Sequence, residues 1–279
     1  KSDCSGISSF QALATSLAAR VGVGNMGGVA VAIYLGGAGA VFWMWLIALI
    51  GMATSFAESS LAQLYKVKDD DGNYRGGPAY YMEKGLGRRW MGVLFSICLI
   101  IAFGLVFNAV QAGAITDSMH TAFGAPKLAV GLVLVGISAA IIFGGIRTIA
   151  KFAELVVPAM ALIYLAIAVY VVIINITDVP AMFVHIFESA FGLQEAGAGA
   201  IGAAIMNGVK RGMFSNEAGM GSAPNAAASA SPYPPHPASQ GYVQMLGVFI
   251  DTIVICTATA AILFCLGNSH RARVCRIFN

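Results

Sequence analysis

The chain has 279 residues, 58% of them hydrophobic and only 10% charged, with a formal net charge of +3. A soluble domain usually carries about 25% charged residues, so this composition excludes a soluble fold and points to an all-α polytopic membrane protein. The small charge sits mainly in connections between apolar stretches, which suits membrane topology rather than a nucleic-acid partner.

Spans of about 20 apolar residues are the unit of such a chain. The first runs from Ser9 to about Leu35 and is interrupted at Arg20-Val-Gly-Val-Gly-Asn-Met-Gly-Gly28. Gly costs about 1 kcal/mol relative to Ala inside a helix, and Gly22, Gly24, Gly27 and Gly28 crowd together there. In lipid, every backbone group that a helix releases must find another partner. The interruption is therefore expected where freed carbonyl and N–H groups line a cavity or hold a ligand. Gly36–Gly39 reads as a turn. The second span covers about Ala40 to Tyr65, with Trp43 and Trp45 as interfacial anchors. Lys66 to Arg89 is hydrophilic and rich in Lys and Arg, so the positive-inside rule places it in the cytoplasm.

The third span, about Trp90 to Ile115, carries the polar pair Asn108 and Gln111 on one helical face. The fourth, about Leu128 to Phe143, leads through Gly144 and Gly145 to a short basic loop with Arg147 and Lys151, again expected inside. The fifth covers about Phe152 to Ile174, with Pro158 a kink site. A long outer connection, Asn175 to Glu195, contains a short amphipathic stretch at 179–191. The sixth span starts near Ala196, ends near Ala230, and is expected to be broken around Asn207–Gly221. Ser231-Pro-Tyr-Pro-Pro-His-Pro237 is a rigid non-helical link. The seventh span covers about Ser239 to Leu266. Two broken spans in separate parts of one chain point to a secondary transporter's binding site.

The remaining motifs narrow the function. Gly22-x-Gly24-x-x-Gly27 matches the dinucleotide fingerprint in letters only: a helix-like stretch precedes it, and the next acidic residue is Glu58. Close helix packing is its plainer alternative, since small residues let membrane helices approach. Ser215, Asn216 and Glu217 offer hydroxyl, amide and carboxylate groups, with Lys210 and Arg211 just before them. Asp251 sits well inside the seventh span, where a charge demands pairing or a role on the permeation path. Asn108 and Gln111 serve either as interhelical glue or as lining of the substrate path. The five Cys show no ligand spacing, no cleavable signal peptide is visible, and no nucleophile–base or carboxylate-pair arrangement suggests an enzyme. The basic tail from about 267 to 279 falls on the outer side by span counting, against the charge pattern of the earlier loops. It is expected to be an atypical end of a truncated chain, with a missed span as the alternative.

Taken together, Ser9-Phe-Gln-Ala12, Arg20-Val-Gly-Val-Gly-Asn25, Gly39-Ala-Val-Phe-Trp-Met-Trp45, Gly51-Met-Ala-Thr54 and Gly76-Gly-Pro-Ala-Tyr-Tyr81 form a specific pattern. Gly208-Val-Lys-Arg-Gly-Met-Phe-Ser-Asn-Glu-Ala-Gly219 and His236-Pro-Ala-Ser-Gln-Gly241 complete it. The chain resembles the alanine or glycine:cation symporter family, the sodium:alanine symporters of bacteria and archaea, over nearly all its length up to about Leu263. The resemblance implies an incomplete form of the inverted-repeat amino-acid transporter fold, with about seven transmembrane helices and broken helices one and six. The whole of 1–266 would be one transporter domain, with a first five-helix repeat at about 9–175 and part of a second at about 196–266. It further implies sodium-coupled uptake of alanine or glycine across the cytoplasmic membrane, with sodium as coupling ion and no other cofactor.

Carried over position by position, Gly22, Gly24 and Asn25 would belong to the first break, and Phe214, Ser215 and Asn216 to the second. Asn25 and Gly22 would form part of a sodium site; Asn108 and Gln111, singled out by their spacing alone, are the candidates for lining the substrate path beside them. Relatives often carry Thr or Ser where this chain has Val23, so a side-chain hydroxyl is absent there. Relatives also usually carry an extra N-terminal span and about three further spans, so a non-transporting membrane component is the rival reading.

Overall fold

A computed structural model describes residues 6–70, 72–192 and 198–277. Helix α1 (Ser9–Arg20) opens with a reciprocal cap: Ser8 Oγ accepts from the Gln11 N–H at 3.1 Å, and the Ser8 N–H donates to Gln11 Oε1 at 3.0 Å. These bonds satisfy two of the donors that every helix start leaves open. α1 ends at Val21, which is extended, and α2 (Val23–Gly36) follows at a bend of 41°. The break is thus confined to Val21–Gly22. The expected unwinding through Gly28 is corrected: Gly24, Gly27 and Gly28 are helical, and Gly24 serves close approach instead, as described below.

α3 (Ala40–Leu64) is a single 25-residue span. The following connection is more ordered than a hydrophilic loop. It folds as an antiparallel hairpin, β1 (Val67–Lys68) with β2 (Tyr74–Arg75), and then α4 (Pro78–Leu86). α5 (Arg89–Leu99), a π-helical stretch (Ile100–Phe107) and α6 (Asn108–Phe123) form one continuous 35-residue helix. α7 (Lys127–Ile142) has 16 residues, about 24 Å of helix, which is short of the roughly 30 Å hydrocarbon core. α8 (Gly145–Ile174) has 30 residues and contains Pro158, and α9 (Val179–Ala190) lies within the expected outer connection.

α10 (Ala198–Asn216) continues through the region expected to be unwound. The second break is shorter, at 217–221, where Glu217, Gly219 and Gly221 all take positive φ. α11 (Ser222–Ala228) follows, and 231–236 is non-helical as the prolines require. α12 (Pro237–Val248), a second π-helical stretch (Phe249–Ile255) and α13 (Cys256–Ile277) then run on without interruption. The basic tail is therefore helical up to Ile277, while residues 278–279 lie outside the described residues. Among the described residues, four helices are long and apolar enough to cross a membrane, or five if the bent pair α1–α2 counts as one span.

The chain divides into two compact units. The first comprises the described parts of Lys1–Val23, Thr54–Val157 and Gly219–Met245; the second, those of Gly24–Ala53, Pro158–Ala218 and Leu246–Asn279. In the first unit, Gln63 Nε2 donates to the Ala227 carbonyl, and Lys66 Nζ donates to Gln63 Oε1 and to the Ala230 carbonyl, each at 2.8 Å. Arg20 is buried and reaches the Gln244 carbonyl and Ser55 Oγ at 3.4 Å. Arg147 Nε donates to Asn73 Oδ1 at 3.2 Å, so the two basic connections expected on one side meet each other.

The second unit holds the larger apolar core. Val29 and Ala32 of α2, Val41 and Met44 of α3, Ile186 of α9 and Cys256 and Ala260 of α13 pack together. Small residues permit the contacts. A Cβ on Gly208 would run into Ala40 and Trp43, and one on Gly212 into Met44 and Ile47. Glycines four apart on α10 thus let α3 lie against it, which is the usual way membrane helices gain dispersion contact.

Candidate functional site

Within the second unit, three elements converge on one carboxylate. Asp251 lies in the π-helical stretch and is fully buried. Asn25 of α2 donates from Nδ2 to Asp251 Oδ1 at 2.7 Å and to the Asp251 carbonyl at 3.1 Å. Ser215 of α10 donates from Oγ to Asp251 Oδ2 at 2.9 Å, and Thr252 Oγ1 donates to the same oxygen at 2.8 Å. Asn25 Nδ2 also reaches Ser215 Oγ at 3.0 Å, so the three side chains form a closed triangle. Cys256 Sγ borders it, 3.3 Å from Ser215 Oγ. Asn25, Ser215, Asp251 and Thr252 are each 0% exposed.

The backbone explains why these groups meet. A Cβ on Gly24 would stand 3.2 Å from Ser215 Cα and 3.4 Å from Phe214 Cδ1, so glycine brings α2 tight against the end of α10. Beyond Ser215 the helix ends through Glu217 at φ 52, a left-handed conformation costly for a residue with a Cβ. Asn216 Oδ1 accepts from the Ala218 N–H at 3.0 Å and so caps the break. Its Nδ2 is buried and, among the described residues, has no hydrogen-bond partner. π-helical turns occur often at functional sites because they shift side chains off the α-helical register.

Chemically the cluster offers hard oxygen donors: two carboxylate oxygens, two hydroxyls and an amide. Such a set suits an alkali or alkaline-earth cation rather than a soft metal. Among the described residues, no group of three or more His, Cys, Asp or Glu comes together.

The sequence-derived residues fall into two places. Gly24, Asn25, Phe214, Ser215 and Asn216 lie together in the second unit. Gly22 and Gln111 lie in the first unit, where the Val23 N–H donates to Gln111 Oε1 at 3.2 Å and a Cβ on Gly22 would meet the Gln111 carboxamide at 2.9 Å. Gln111 thus serves the backbone opened by the first break. Asn108 does not join either group: it is exposed, and its Nδ2 turns back to the Gly104 carbonyl of its own helix at 3.2 Å. Asp251, Thr252 and Cys256 were absent from the sequence-derived site. Only Asp251 carried a signal, as a charge inside an apolar span.

Comparison with known proteins gives the family. Residues 1–276 match the sodium:alanine symporter family. Relatives include a probable sodium/glutamine symporter of Bacillus subtilis, 55% identical over 92% of this chain and 53% of its own length. An amino-acid carrier protein of the same organism is 54% identical over 92% of this chain and 55% of its own length. A sodium/alanine symporter of Methanococcus maripaludis is 46% identical over 94% of this chain and 58% of its own length. The chain therefore spans about half the length of these relatives. It belongs to the sodium:alanine symporter family, a family of membrane transporters rather than enzymes.

Proposed function

We propose that the chain takes part in sodium-coupled symport of a small neutral amino acid, alanine or glycine, across the cytoplasmic membrane by alternating access. The observation that carries this reading is the buried triangle of Asn25, Ser215 and Asp251, which joins the helices flanking both breaks within one unit. In this reading sodium sits among the Asp251 carboxylate, the Ser215 and Thr252 hydroxyls and the Asn25 amide, replacing hydrogen bonds now made among them. Neutralising a fully buried carboxylate by a cation removes a desolvation cost of several kcal/mol, which ties ion binding to the closed arrangement of α2 and α10. The amino acid then lies beside the second break, within the same unit as the cation. Its carboxylate accepts from Asn216 Nδ2, which has no hydrogen-bond partner among the described residues. In the other unit, the first break is served by Gly22, which supplies backbone, and by Gln111, which accepts from the Val23 N–H. Seven spans arranged as part of two inverted repeats belong to the same proposal. Relatives named for glutamine and for alanine support an amino acid as the substrate.

The test is binding of labelled alanine to the purified chain in sodium, then in choline. Saturable binding that disappears in choline supports the reading, and unlabelled glycine, glutamine and D-alanine as competitors define the substrate. Binding indifferent to sodium, or none under either condition, overturns it in favour of a non-transporting membrane component.

A further inference from the structure

A second polar site lies in the first unit, away from the carboxylate cluster. A cavity of about 220 Å³ is lined by Gly6, Ile7, Gln11, Arg147 and Lys151. Arg147 and Lys151 are four residues apart in the first turns of α8, so both cationic groups lie on one helical face. Among the described residues neither makes an ion pair. Arg147 spends one N–H on Asn73 Oδ1, which orients the guanidinium and leaves its other donors for a ligand. The nearby carboxylate is already engaged: Glu154 Oε2 accepts from Gln11 Nε2 at 2.8 Å, and Gln11 Oε1 accepts from the Ser8 N–H.

The backbone part of the lining is fixed. The Ile7 N–H donates to the Ser229 carbonyl and the Ser231 N–H to the Ile7 carbonyl, at 3.1 and 3.0 Å. Gly6 adds no side chain there, because a Cβ would stand 2.6 Å from Ser231 Oγ. The cavity thus keeps one cationic wall and one backbone wall. Immediately along α8, the surface turns apolar and bare. Phe152 is 47% exposed and Leu155 76% exposed, one and four residues beyond Lys151. An anionic headgroup beside an apolar strip is the chemistry of a phospholipid, and basic pockets at the cytoplasmic ends of spans are suited to such headgroups.

We propose that Arg147 and Lys151 hold the phosphate of an anionic phospholipid, whose acyl chains lie along Phe152 and Leu155. Free phosphate offers the same two contacts without the apolar strip, so the experiment separates the sources. The purified chain is titrated with vesicles of phosphatidylglycerol, with vesicles of phosphatidylcholine and with inorganic phosphate, and bound lipid is read by native mass spectrometry. Phosphatidylglycerol is expected to bind at least tenfold more tightly than phosphatidylcholine, with inorganic phosphate failing to compete at equal concentration. The Arg147→Gln/Lys151→Gln double variant is expected to lose that preference, and Arg147→Lys/Lys151→Arg to retain it, which controls for folding. Arg88→Gln/Arg89→Gln, at another basic connection, is expected to leave it unchanged. Equal retention by wild type and the neutral double variant, equal loss in the Arg88/Arg89 variant, or full competition by inorganic phosphate would each overturn the assignment.

Discussion

Replacing Asn25 with alanine tests the proposed cation site most directly. Asn25 Nδ2 makes a charge-assisted bond of 2.7 Å to Asp251 Oδ1 and a further bond of 3.0 Å to Ser215 Oγ. Hydrogen bonds to charged groups contribute about 1.5–3 kcal/mol, and each 1.36 kcal/mol is tenfold in affinity. Two consequences oppose each other. A carboxylate released from a donor attracts a cation more strongly, but the same release lets it rotate away from the two hydroxyls. Ion and substrate sites lose function when ligands drift by more than about 0.5 Å, and the variant also removes the amide oxygen. The second effect dominates, and the sodium dissociation constant is expected to rise about 10- to 100-fold. Trp45 supplies the readout: its Nε1 donates to Thr257 Oγ1 at 2.8 Å, one residue beyond Cys256, so indole fluorescence reports on the cluster. Unchanged sodium affinity in an Asn25→Ala protein of native helicity would remove Asn25 from the site and refute this argument.

Three further outcomes follow from the geometry. Gly39→Ala is expected to destabilise the second unit by about 1–3 kcal/mol, because its Cβ would overlap the backbone of Ser189 and Ala190. Gly131→Ala, with open space around it, is expected to be neutral or slightly stabilising; equal effects in thermal unfolding would contradict the packing account. Gly24→Ala forces α2 away from Ser215 Cα by a few tenths of an ångström. It is expected to weaken sodium binding several-fold with little change in unfolding temperature, and a loss of stability alone would count against the close approach. Lys66 links pH to stability. Burial lowers its pKa from 10.5 to about 8, so the unfolded chain binds more protons than the folded one between those values. The resulting destabilisation is full below pH 8 and relieved as pH rises, so stability should climb from pH 8 towards pH 10. Above that, Tyr81, pushed up to about 12 by burial and then by Glu58, works in the opposite sense. Lys66→Met should flatten the rise between pH 8 and 10 in thermal unfolding curves, and an unaltered slope would exclude Lys66 as its source.

The helical architecture was legible because apolar runs of span length admit few other folds in lipid. The breaks were legible in kind but misplaced in extent, for a reason that lies in what glycine does. A run of glycines signals both weak helix and open space, and the sequence does not distinguish the two. At Gly24, Gly208 and Gly212 the missing Cβ admits a neighbouring helix, and the backbone stays helical. At Gly219 and Gly221 the missing Cβ admits positive φ, and the helix stops. Glu217 takes positive φ without being glycine, so no composition rule marks the start of the second break.

The site was half legible for a related reason. Asn25 and Ser215 stood out as polar groups in unusual stretches, whereas Thr252 and Cys256 are ordinary residues in an apolar span. Thr252 bonds the carboxylate and Cys256 borders the Ser215 hydroxyl, within and just beyond residues 249–255, which are wound as a π-helix, and no hydrophobic periodicity announces that turn. Asn108 shows the converse case. Helical spacing placed it on one face with Gln111, but spacing fixes direction and not depth: Gln111 meets the Val23 backbone, while Asn108 remains exposed and bonds its own helix. A polar residue inside an apolar span therefore marks a site only when a second element supplies its partner. That is why Asp251, met by Asn25 from α2 and Ser215 from α10, carries more weight than any motif read from the sequence.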